Sequence, residues 1–199
     1  MRTTLLLLSL FTALAITACS SDDEPTIVEP HDPAFTFRFS DNGTLTVNGA
    51  TPILNEEFNT KVNNHAWRIE SWNMIKQNGN IGVIDSKEVG FQETVFFFDK
   101  GVGTLLLDSN GELIHNVFGI QYREETGEIT TPSGCFGQEV VFRILKMTPE
   151  GERLLTILPS RNLIDYGEGH LLYSYVIFQR LSDKELQDLL KKHGLQIVD

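Results

Sequence analysis

The chain has 199 residues, 16 Lys plus Arg against 27 Asp plus Glu, a formal charge of −11, 41% hydrophobic residues and only two cysteines. That balance excludes collagen, coiled coil and bulk disorder. It also argues against a nucleic-acid partner, because phosphate binding needs clustered Lys and Arg and the chain has no such stripe. Two cysteines cannot build a disulfide scaffold.

The first element is a targeting signal. Arg2 supplies a short positive region, and Leu5 to Ala18 form an apolar stretch broken only by Ser9, Thr12 and Thr17, too short for a comfortable bilayer span. It ends Ile16-Thr17-Ala18-Cys19, which resembles the lipobox of bacterial lipoproteins. The resemblance implies cleavage after residue 18 and acylation of Cys19. Ser20-Ser21-Asp22-Asp23-Glu24 follows directly and resembles the acidic export signal of Bacteroidota surface lipoproteins. It implies an outer-membrane protein, anchored through its N-terminal lipid and facing the cell exterior. Residues 19–33, with Pro25 and Pro30 and no apolar periodicity, read as the lipidated cysteine and a flexible acidic tether.

Residues 34–199 read as one mainly β domain. Phe35, Phe37 and Phe39 alternate with polar residues, Asn42-Gly43 suits a tight turn, and Leu45 and Val47 alternate on the return, so an N-terminal hairpin with one apolar face is expected. Eight further strands are predicted, near 67–76, 81–85, 91–98, 104–107, 112–122, 139–147, 153–158 and 171–181. Turn residues such as Asn78-Gly79, Gly101 to Gly103, Asn110-Gly111, Gly127 and Glu150-Gly151 fall between consecutive runs. Sequential antiparallel strands of this kind close into an up-and-down barrel, whose interior is filled by side chains or holds one small ligand. If the hairpin joins that sheet, a larger or open barrel or a two-sheet sandwich results.

The period then changes. Ser182-Asp183-Lys184-Glu185 is a capping box, and Leu186, Leu189 and Leu190 form a stripe at i, i+3, i+4. Lys191 and Lys192 suit the negative helix end, and Gly194 supplies a left-handed stop. A helix over 183–193 should pack on the outside of the barrel through that stripe.

Together these residues resemble the bacterial lipocalin-like proteins of the calycin group. The likeness is carried by Ala66-Trp67-Arg68-Ile69, by Phe98-Asp99-Lys100-Gly101-Val102-Gly103-Thr104, and by Phe178-Gln179-Arg180 ahead of the helix. It implies that Trp67 and Arg180 form a structural pair closing one end of the barrel.

Chemistry is sparse. The five histidines His31, His65, His115, His170 and His193 lack the spacing of a metal site. Cys135 has no adjacent base, and no nucleophile elbow or phosphate loop is present. No enzyme activity, cofactor or metal is expected. Binding remains, with Trp72, Tyr122, Tyr173 and Tyr175 as polar handles in an apolar cavity; the even spacing of Tyr173 and Tyr175 puts them on one face. Two functions stand: a carrier of a small apolar or amphipathic molecule, or a solid module that binds a surface protein or glycan. Small inward residues around Ser174 and Gly119 would favour the first.

Overall fold

The computed structural model describes residues 35–83, 93–109, 112–135, 138–160 and 172–195. The segment read above as a targeting signal, Cys19, the stretch read as a tether, His31 and His170 lie outside the described residues. The described chain forms twelve strands and two helices.

The N-terminal hairpin pairs β1 (Thr36–Phe39) with β2 (Leu45–Asn48), Phe37 opposite Val47. It remains a separate two-stranded sheet and does not enlarge the barrel. A single helical turn, α1 (Asn55–Glu57), then widens into a π-helical turn over Phe58–Val62.

The barrel strands are β3 (His65–Ile75), β5 (Glu93–Asp99), β6 (Val102–Ser109), β7 (Glu112–Gly119), β9 (Glu128–Cys135), β10 (Gln138–Met147), β11 (Arg153–Ser160) and β12 (Leu172–Arg180). Two short strands complete them: β4 (Ile81–Val83), which pairs only with β3, and β8 (Gln121–Arg123). Sheet order runs β7-β6-β5-β3-β12-β11-β10-β9-β8, all pairings antiparallel. Because β8 follows β7 after one residue, the path nearly returns to its start. Up to Gly119 the chain pairs with β6, and from Gln121 it pairs with β9, while the Ile120 N–H donates to the Gly101 carbonyl.

The expected strand 112–122 is broken at Ile120 into β7 and β8, which pair with different neighbours. Of the segment predicted at 81–85, Ile81–Val83 form β4, which pairs with β3 across the turn at Gly79, φ +84°, and residues 84 and 85 lie outside the described residues. A strand not expected from the sequence, β9, completes the barrel. Its sequence, Glu128 to Cys135, contains Pro132 and Gly134 and reads as a loop. A strand can carry that proline because β8 covers its outer edge only as far as Thr130, so the missing N–H removes no ladder bond there.

Antiparallel pleating sends alternate side chains inward and outward, and both sets are buried. Inside lie Trp67, Phe96, Phe98, Phe118, Ile129, Phe142, Ile144, Leu154, Val176 and Phe178. Outside, one patch of Ile75, Leu145, Leu155, Ile157 and Tyr175 is covered by Phe35 and Phe37 of the hairpin. A second outer patch, Ala66 and Val95, is covered by α2 (Asp183–Lys192) through Leu186, Leu189 and Leu190. The helix begins with the expected capping box: the Glu185 N–H donates to the Ser182 hydroxyl and the Glu185 side chain accepts from the Ser182 N–H. The Ser182 N–H and hydroxyl, both donating to the Glu185 carboxylate, hold its pKa below the ordinary value.

Candidate functional site

The barrel interior has two halves of different character. At one end, where β3 begins and β12 stops, aromatic rings fill the space. Phe96 meets Phe178 edge-on at 5.5 Å and Phe142 at 5.6 Å, and Phe142 lies 5.4 Å from Phe178. Such offset and edge-to-face contacts pack rings densely and fix their orientation. The segment 51–62 crosses this end as a floor.

Each link of the floor is specific. The Thr51 N–H donates to the Leu145 carbonyl, and the Asn55 N–H donates to the Glu124 carboxylate at 2.7 Å. Phe58 stacks on Tyr122 with ring centroids 4.3 Å apart and planes 4° from parallel. The Tyr122 hydroxyl donates to the Ile53 carbonyl at 2.6 Å. Burial pushes the phenol pKa up to about 12, so Tyr122 stays a neutral donor. The Trp67 indole N–H donates to the Val62 carbonyl at 3.2 Å, and its ring is fully buried.

Toward the other end the inward set contains fewer rings and includes hydroxyls. Register places Trp72 opposite Val176 and Met74 opposite Ser174, with Leu158 on the far side of Ser174. Thr94 lies two residues beyond Phe96, Thr131 two beyond Ile129, and Asn116 two beyond Phe118, so all three share the inward face. Thr94, Thr131, Thr156 and Ser174 are buried, and the Thr156 hydroxyl donates to the Val176 carbonyl at 2.9 Å. None of these inward positions carries a charge. The arrangement suits a neutral guest, since an unpaired ion there would face desolvation without a counter-charge.

The predicted site residues separate accordingly. Trp72 and Tyr122 both pack against the inner cluster, but Tyr122 belongs to the floor, where its ring and hydroxyl are both engaged. Tyr173 and Tyr175 share a face, as their spacing requires, but it is the outer one, and this corrects their expected place in a cavity. Tyr175 lies 6.3 Å from Phe35 and 5.9 Å from Phe37, and Tyr173 lies 6.0 Å from Phe39. The hairpin supplies an apolar cover for them. Of the two small residues singled out, Ser174 faces inward, whereas Gly119 pairs with the exposed Val102 on the outer face and does not narrow or widen the interior. Trp67 and Arg180 are direct partners across β3 and β12 at the floor, Trp67 buried and Arg180 exposed. His65, beside them, has its pKa lowered by burial first and by the Arg180 charge second, with Asp183 opposing. Among the described residues no three His, Cys, Asp or Glu side chains form a group that could hold a metal.

Thr94, Met74, Asn116 and Thr156 were not singled out from the sequence. The available signal was alternation on one strand face: Thr94 stands two residues from Phe96, Asn116 two from Phe118, Met74 two from Trp72 and Thr156 two from Leu154.

No family model and no curated sequence matches this chain. Solved structures do resemble it, all remotely. The siderocalin Ex-FABP, described as functioning through dual ligand specificities, is 8% identical over 66% of this chain and 87% of its own, with a TM-score of 0.36. Bovine odorant-binding protein in complex with undecanal is 18% identical over 67% and 85%, with a TM-score of 0.33. The same bovine protein with a selenium-containing odorant is 15% identical over 68% and 89%, with a TM-score of 0.32. These neighbours are lipocalin-type barrels. The barrel assignment here rests on this chain's own strand pairing.

Proposed function

We propose that this chain is a lipid-anchored outer-membrane protein, facing the cell exterior, whose barrel binds one small neutral molecule. The guest is mainly apolar and carries one or two hydrogen-bonding groups. The observation behind this reading is the divided interior: a floor packed with rings, and beyond it Trp72, Met74, Thr94 and Ser174, an uncharged set that mixes apolar walls with two hydroxyls. Ligand sites commonly combine apolar walls with a few placed polar groups.

Two experiments test it. The protein carrying Cys19→Ser, purified without detergent, is weighed by native mass spectrometry and again after denaturation. A reproducible mass excess that disappears on unfolding is expected; identical masses, together with no retention of added long-chain aldehydes or alcohols, would sink the carrier reading and favour a solid module for a protein or glycan partner. For the anchor, metabolic labelling with a radioactive fatty acid should mark the wild-type chain and not Cys19→Ser. Equal labelling of both would refute acylation at Cys19.

A further inference from the structure

Among the described residues three large hydrophobic side chains are exposed: Leu54 at 60%, Val117 at 56% and Val102 at 41%. They are not scattered over the molecule. Val102 and Val117 project outward from β6 and β7, diagonal to one another, because Val102 stands opposite Gly119 and Val117 opposite Thr104. The outward positions between them, Thr104 and Gly119, are uncharged, and nothing lies within 4 Å of where a side chain would begin at Gly119. Neither the hairpin nor α2 covers this part of the wall, since their contacts lie on β3, β5, β10, β11 and β12. Leu54 belongs to the floor segment, between Ile53, whose carbonyl takes the Tyr122 hydroxyl, and Asn55, whose N–H meets Glu124. It therefore borders β8, which continues β7 beyond Gly119 and Ile120.

We infer that this corner, made by the floor and the outer faces of β6 and β7, rests on the lipid surface to which the chain is anchored, with the opposite end of the barrel turned away from it. The inference rests on the proposed acylation of Cys19. Fifteen residues, 20–34, separate Cys19 from Phe35, and a chain of that length reaches at most about 50 Å even fully extended. The barrel is thus held beside the bilayer at a high effective concentration, where a contact too weak to recruit a free protein is populated. Three side chains on a convex corner are far from the roughly 800 Å² per partner of a stable protein interface, whereas a lipid surface needs no shape complementarity.

The test uses the acylated full chain in phosphatidylethanolamine/phosphatidylglycerol vesicles, with Cys135→Ser and one spin label at Val102→Cys or, as a reference, at Gln187→Cys on the exposed side of α2. Collision with lipid-soluble oxygen is compared with collision with an aqueous nickel chelate. The label at 102 should favour oxygen several-fold over the label at 187, and adding Leu54→Glu with Val117→Glu should remove that preference while the protein still floats with the vesicles. Equal nickel access at 102 and 187 in floating protein would overturn the seating and leave the anchor intact. Failure to float would overturn the anchor, and the seating with it.

Discussion

Ser174 and Tyr175 are adjacent in sequence and stand on opposite faces of the barrel wall: Ser174 turns inward opposite Met74, while Tyr175 turns outward beneath Phe35 and Phe37. On the proposed reading, replacing Ser174 with Phe should crowd the interior beyond the aromatic floor and abolish the ligand mass excess, with the fold retained. Tyr175→Phe should leave that excess unchanged. Native mass spectrometry of both variants checks the pair, and loss of ligand in Tyr175→Phe alone would reverse the assignment of the faces.

Trp67→Ala should destabilise the barrel by about 3–5 kcal/mol, because it removes a fully buried indole and leaves the Val62 carbonyl without its donor. The urea unfolding midpoint measures this. A loss under about 1 kcal/mol would mean that the floor closes without the tryptophan.

Ser182→Ala should cost about 1 kcal/mol, since it removes the hydroxyl that accepts from the Glu185 N–H and donates to the Glu185 carboxylate, leaving only the backbone bond from the residue 182 N–H, and the helix covers Ala66 and Val95. The local consequence should be visible as faster amide exchange in the first turn of α2, ahead of any change in the barrel strands.

His65 should make stability pH-dependent. Its folded pKa lies below the ordinary 6.5, so the folded state disfavours the protonated form. Above 6.5 the ring is neutral in both states and its contribution is complete; as pH falls through 6.5, the unfolded chain takes the proton first and stability declines. Wild type should therefore lose more stability than His65→Gln between about pH 7.5 and about pH 5.5. Equal losses would show that other groups carry the dependence.

The sequence was most legible where the signal is local. Ser182 with Glu185 announces a helix start, and Asn42-Gly43 with alternating phenylalanines announces a hairpin, because capping and turn formation involve only neighbouring residues. β9 was hidden because Pro132 and Gly134 ordinarily mark turns; they are tolerable because β8 pairs with β9 only as far as Thr130 and the β10 register has no partner for either residue. The facing of β12 was undecidable from alternation, since Tyr173, Tyr175 and Ile177 are as apolar as Val176 and Phe178. What decides it is tertiary: the hairpin's phenylalanines need a platform, and the outer set provides one.

The antiparallel seam between β3 and β12 joins residues far apart in the chain; the Asn73 amide reaches the Tyr175 carbonyl across 102 positions. The pairings β5 to β6, β6 to β7, β9 to β10 and β10 to β11 link consecutive strands, so they need little loop closure. Loop-closure cost therefore predicts that the local meanders form early and that the β3–β12 seam, which joins the first and last long strands of the barrel sequence, forms late. A chain truncated before Leu172 lacks its closing strand and would present β3 and β11 as unpaired edges, the kind of surface through which sheets aggregate.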